Sequence, residues 1–363
     1  MGDCVRRSHR DIAAFIVRSL GVILVVAMAQ SAAAQDFSGG WAPLGALPVD
    51  QAGGGRRGYI MPGEDSDVTP DATNRLSIHT VAANNFYREQ NQEFLISQRY
   101  ETHSLALDYR RGFALHGVPR FEIGGQVQLH QSDSGMLNGL ISGFETFWAS
   151  MTGYEQSRNL LRTGGPAVMP PLGTIITRNG VPLYRQEGGA SGVGDLYVGG
   201  KMALLDLGPD SIAPRVAARI GVNVAGNKSY TAGNYVGMGL SVDQKLTPFL
   251  AFHGDGRVTR VLDQTSVWGL PVRPWTYAVS FGPEFRLPKR SSFNVQIDAS
   301  STPYWPTDVL AFDKAYGAVT LGLGHRFGHV MAQLYFRENM NMPFKVRWNT
   351  DPDLSVGLRI RIH

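Results

Sequence analysis

The chain has 363 residues, of which 43% are hydrophobic and 18% charged, with a formal net charge of +4. That near-neutral balance gives no argument for nucleic-acid binding. The lone cysteine, Cys4, excludes a disulfide framework.

The first residues carry Arg6, Arg7, Arg10 and Arg18, then an apolar run LGVILVVAMA, then AQSAAAQ with Ala32 and Ala34 in A-x-A positions. Basic region, apolar core and small-residue site form a secretory signal, with cleavage expected after Ala34. The apolar run is about ten residues, short of the ~20 that a membrane helix needs. Removing residues 1–34 takes away four Arg and two Asp, so the net charge falls from +4 to +2. Cys4 goes with them. Residues 35–74 are rich in Gly, Pro and Asp, as in QAGGGRRG and MPGEDSD. They are expected to be a flexible or loosely docked N-terminal segment, with a periplasmic tether or an inserted plug as the alternative.

From residue 75 the pattern changes to alternation of apolar and polar residues over stretches of eight or more, bounded by turn residues. Twelve strands are predicted, at 76–87, 102–112, 120–131, 195–205, 215–225, 235–246, 249–261, 275–287, 293–301, 316–327, 329–337 and 354–363. Five of the joins are short, such as TP, PKRSS and GH. The joins between them are longer, such as DQTSVWGLPVRP and TPYWPTDVLAFDK. Short turns alternating with long loops fit an antiparallel transmembrane β-barrel over 75–363 in the bacterial outer membrane. The expected partners are outer-membrane lipid, the barrel-assembly machinery and an unknown small solute. The chain ends Ile362-His363 and lacks the terminal Phe or Trp common in such barrels. A monomer is expected.

If the apolar rows face lipid, the opposite rows line a lumen. The candidate lumen residues are Arg110, Glu122, His130, Asp195, Lys201, Arg215, Arg219, Asp255, Arg257, Arg326, Arg337 and Arg359. Over all the inward rows eleven Lys and Arg stand against seven carboxylates, a surplus of four. This implies a solute path with a mild preference for anions. The alternative is a barrel filled by its own ion pairs. Barrels of about eight strands are filled by side chains and open porins have 16–18, so twelve lies between.

Residues 132–194 form one long connection, and long loops are usually functional or disordered. Met136, Leu137, Leu140, Ile141, Phe144, Phe147, Trp148 and Met151 recur at helical spacing. An amphipathic helix over 136–151 is expected, with Leu137, Ile141, Phe144, Phe147 and Trp148 as a plug in or over the barrel mouth. A helix in the membrane interface is a second reading, and a helix covering an apolar rim with no gating role a third. TIITRNGVPLYRQ follows, a hairpin whose Asn179-Gly180 suits a type I′ turn.

The run RFEIGGQVQLHQSDSGMLNGLISGFETFWASMTGYEQSRN and the following GGASGVGDLYVGGKMAL carry a resemblance. They resemble an uncharacterised family of Gram-negative exported proteins, a domain of unknown function that implies an outer-membrane barrel. The strand opening Gly192-x-Gly194-Asp195 is similar to that of outer-membrane transporters for phenol-type compounds. Neither resemblance supplies a catalytic residue.

The chain has no P-loop, HExxH, CxxC or GxSxG, so no cofactor or metal is expected. His130-Gln131-Ser132 resembles the H-x-S motif of outer-membrane phospholipase A and lipid A deacylases. Here Asp133 stands where those families have Asn, and His130 lies on the polar row. The expected function is therefore passage or binding of small solutes, with access controlled by 132–194. A closed barrel with a structural or surface-interaction role is the alternative, and a lipid hydrolase the third.

Overall fold

The computed structural model describes residues 43–48, 59–115, 118–133, 173–187, 189–206, 213–226, 233–266, 268–307, 309–313, 315–339 and 354–362. Its strands are β1 (Asn74–Gln90), β2 (Phe94–Leu115), β3 (Val118–Asp133), β4 (Gly173–Arg178), β5 (Val181–Glu187), β6 (Ser191–Leu205), β7 (Arg215–Val224), β8 (Tyr235–Thr247), β9 (Leu250–Val261), β10 (Trp275–Leu287), β11 (Ser291–Ser300), β12 (Tyr316–Phe327), β13 (Val330–Asn339) and β14 (Leu354–Ile362). One short helix, α1 (Leu310–Asp313), precedes β12.

Twelve of these strands close on themselves. Each pairs antiparallel with its neighbour in the chain, β3 pairs with β6, and β1 pairs with both β2 and β14. Closure of these twelve leaves the barrel wall without an open seam, which is what lets backbone polar groups survive in hydrocarbon, and β5 of the outer hairpin keeps a free edge.

Two-residue periodicity sorts the side chains. On β7, Arg219 is 4% exposed and its neighbour Ile220 is 57% exposed. The same alternation runs round the wall, with Leu107, Ile123, Val198, Met238, Val279 and Leu321 outward. An apolar outer band around a charged interior is the inverse of a soluble protein and the pattern of a membrane barrel. Trp275 and Tyr277 at one end and Phe249 and Phe327 at the other are exposed, as expected of aromatic girdles.

The turns β2–β3, β8–β9, β10–β11 and β12–β13 are two or three residues long and share one end, which is the periplasmic end by the usual rule for such barrels. At the opposite, outer end the β1–β2 join corrects an expectation. A loop was expected over 88–101. Both strands instead continue, and Gln90 pairs with Leu95. The Asn91 side chain closes the turn, accepting from the backbone N–H groups of Glu93 at 2.9 Å and Phe94 at 2.6 Å. Here Phe94 and Ile96 are buried in an apolar cluster with the hairpin and outer loops, and the alternation is lost.

The first half of the long connection, with the expected helix 136–151 and its Leu137, Ile141, Phe144, Phe147 and Trp148, lies outside the described residues. The second half forms the expected hairpin. Asn179 and Gly180 have φ of 51° and 78°, the left-handed pair that a type I′ turn requires. β4 pairs with Phe94–Arg99 of β2, continuing the wall where β3 has ended.

Candidate functional site: the filled lumen

The barrel interior is occupied by the chain's own N-terminal segment. Among its described residues, 44–48, 59–61, 65, 66, 68 and 69 are buried against the wall, and 70–74 are exposed. Backbone pairing of these described residues with the wall occurs at the Asp71–Gly112 bridge. Elsewhere wall side chains serve the segment's backbone, which answers the rule that buried N–H and C=O groups need partners.

Residues 43–48 lie against β10–β14. Leu44 and Gly45 donate backbone N–H to Glu284 at 2.8 and 3.1 Å. The Gln296 amide meets Leu47 twice, accepting from its N–H at 2.9 Å and donating to its carbonyl at 3.2 Å. Arg359 donates to the Ala46 carbonyl at 2.8 Å. Glycines on β12 make the seat. A Cβ on Gly322 would stand 2.6 Å from Leu47 and one on Gly324 2.3 Å from Leu44.

Residues 59–73 return along β6–β9 to the start of β1. Met61 donates its N–H to Thr259 at 3.1 Å and accepts from Arg257 at 3.3 Å. Ser66 donates to Asp243 at 2.7 Å, and Thr69 donates to Glu122 at 2.6 Å. His253 ties the two limbs together. It is hydrogen-bonded to Asp243 at 2.6 Å and Glu284 at 2.7 Å, the carboxylates that hold Ser66 and Leu44.

Between these contacts Glu64, Asp65 and Asp67 enter a cluster of cations. Glu64 lies 2.7 Å from Arg110, 3.2 Å from Lys201 and 3.9 Å from Arg219. Asp65 lies 2.7 Å from Arg361 and 3.8 Å from Lys201. Asp67 is the outer member, 3.7 Å from Arg75, 3.8 Å from Arg361 and 4.0 Å from Arg215. Glu122 of the wall shares the same cations, Arg75 at 3.0 Å, Arg110 at 3.2 Å and Lys201 at 3.3 Å. Buried charges persist only when paired in this way.

Of the sequence-predicted candidates, Arg110, Glu122, Lys201, Arg215 and Arg219 therefore come together. Asp255 joins them, accepting from Arg219 at 2.7 Å and lying 3.0 Å from Arg257. Others stand apart. Asp195 accepts from Asn223 at 2.8 Å towards the outer end. Arg337 lies 3.4 Å from Asp298. Arg326 is half-buried beside the β10–β11 turn, where its backbone N–H reaches the Arg290 carbonyl at 3.2 Å. His130 is hydrogen-bonded to Ser104 at 2.7 Å and Gln128 at 3.2 Å, and Ser132 donates to the Ala190 carbonyl at 3.2 Å.

Sequence reasoning missed Arg75, which precedes the predicted first strand, and the three acidic residues of the segment. One available signal was the lumen's surplus of cations, which the compact acidic run GEDSD could offset.

The outer end of the lumen is roofed by apolar side chains. Ile176, Leu183 and Tyr184 of the β4–β5 hairpin pack with Trp268 and Leu270 of the β9–β10 loop and with Tyr304 and Phe312 before β12. Trp268 stacks near Tyr304 at 6.2 Å between centroids, and Tyr304 meets Phe312 edge-on at 5.2 Å. Tyr59 of the segment joins from below.

No family model matches the chain, and no curated protein does. Solved structures do. The COG4313 outer membrane channel from Pseudomonas putida F1 is similar at 12% identity and a TM-score of 0.53, over 82% of this chain and 97% of that one. The KdgM porin, at 6% identity and a TM-score of 0.39, covers 80% and 98%. The CymD monoaromatic hydrocarbon channel, at 10% identity and a TM-score of 0.35, covers 81% and 88%. At these identities the likeness to the first concerns the fold, and the two lower scores carry no argument. The fold is that of a bacterial outer-membrane barrel.

Proposed function

We propose that this barrel passes or binds small polar solutes across the outer membrane, with access controlled at its outer end by the 132–194 connection. The observation that carries the reading is the charged face presented to the lumen by strand after strand, from Arg110 and Glu122 through Arg219 and Asp255 to Arg359. A wall serving only as an anchor has no need of so many buried charges, since removing charges from water is costly even when they are paired. The hairpin supports the role of the connection, because it contributes three side chains to the apolar roof.

Reconstitution into planar bilayers tests this. The folded full-length protein is expected to give small conductance steps, and Trp268→Ala, which removes the centre of the roof, larger or longer ones. A barrel that inserts and stays silent in both forms replaces transport with the closed-barrel reading.

A further inference from the structure

We propose that the acidic turn Glu64–Asp67 is a tethered surrogate ligand, occupying a lumen site that binds small solutes bearing two or more carboxylates. The inference rests on the solute-path reading and names the solute class for it. The site is the cation cluster Arg75, Arg110, Lys201, Arg219 and Arg361.

Three observations converge. The first is charge. The inward rows carry eleven cations against seven carboxylates, and Arg75 raises the surplus from four to five. Glu64, Asp65 and Asp67 bring it down to two. The segment thus supplies what a multiply charged anion would supply.

The second is geometry. Asp65 contacts Arg361 and Lys201, and Glu64 contacts Arg110, Lys201 and Arg219, all through side-chain carboxylates. Each cation comes from a different strand of the wall, namely β2, β6, β7 and β14. The cluster is therefore preformed by the barrel rather than by the segment. A free carboxylate could reach the same guanidinium forks.

The third is spare donor capacity. With the segment in place, the Nε atoms of Arg75, Arg219 and Arg361 and the Nη1 atom of Arg219 are buried without a hydrogen-bond partner in the structure. The Oε2 atom of Glu64 is likewise buried without a hydrogen-bond partner, so the segment's carboxylates and these donors are imperfectly matched. A compact free polycarboxylate would meet more of the donors. Competition between occupant and solute would then set how readily the lumen clears.

Citrate binding to the full-length protein in detergent, measured by calorimetry against an ionic-strength-matched sodium chloride control, tests the proposal without requiring conduction. The variant E64Q/D65N/D67N keeps size and removes the competing charge. It is expected to bind citrate at least tenfold more tightly than the unsubstituted protein, and glycerol no better. Equal citrate affinity, or none in a variant that still shows the heat-dependent gel shift of a folded barrel, overturns the proposal. If the triple variant does not fold, E64Q alone decides by the same difference. A silent bilayer with tight citrate binding would refute transport and leave this site standing. Conductance without the affinity difference would do the reverse.

Discussion

Asp65 and Arg361 are 296 residues apart in sequence and 2.7 Å apart in the structure. One stands before the first strand and the other is in the last, so this pair ties the lumen segment to the strand that closes the ring. Asp65 is 2% and Arg361 8% exposed at the side chain, which places the contact well away from bulk water.

Arg361→Gln should release the acidic turn. Breaking one side of a buried ion pair strands the other charge, at about 3–5 kcal/mol. Asp65 keeps Lys201 at 3.8 Å, so the lower part of that range is expected. The measurement is amide exchange at Ser66 and Thr69, whose N–H groups are bonded to Asp243 and Glu122. Faster exchange there with an unchanged gel shift supports the docking. Unchanged protection would show that the pair does not hold the segment.

Gly112→Ala should disturb the junction between segment and wall. A Cβ at this position would lie 1.9 Å from the Pro70 carbonyl oxygen and 2.4 Å from that of Thr69. Backbone cannot swing aside as a flexible side chain can. Overpacking of this kind costs roughly 1–3 kcal/mol. A lower midpoint in the heat-dependent gel shift is expected, and a midpoint equal to that of the parent would contradict the contact.

Trp268→Ala should loosen the roof while leaving the barrel closed. Deleting a buried Trp costs about 3–5 kcal/mol, here drawn from packing with Tyr184, Tyr304 and Phe312. Barrel hydrogen bonding is untouched. Trypsin should then cut at Arg178 or Arg185 of the hairpin in the variant before the parent. Equal cleavage rates would mean that the hairpin is not held by this cluster.

How far this could be read in advance depended on what enforces a pattern. Lipid on one side and charge on the other imposed strict alternation, so β10 and β12 were legible to the residue. At the outer ends of β1 and β2, Phe94, Leu95 and Ile96 run consecutively and Phe94 and Ile96 are buried in the roof cluster, so the alternation fails and the strands were read as loop. The N-terminal segment was harder. Its backbone partners are single side chains such as Gln296, Thr259 and Glu284, scattered over the whole sequence, and no local periodicity encodes them. GEDSD has the composition of a solvated loop, because the charges that bury it belong to other strands. The candidates on the wall were placed by parity alone. Parity says which way Arg110 and Lys201 point, and not that they meet over Glu64.

The position of the segment also bears on how the barrel comes into being. Its contacts reach the far end of the chain, as from Ala46 to Arg359, a separation of 313 residues. Such contacts are the slowest for a chain to find. The ring closes where β1 meets β14, and the segment leads directly into β1. Residues 43–48 and 59–69 must therefore lie inside the curling sheet before that last pairing forms, or be threaded through an end afterwards. The first route makes filling part of closure. Folding rate, and not only final stability, should then respond to what the segment carries.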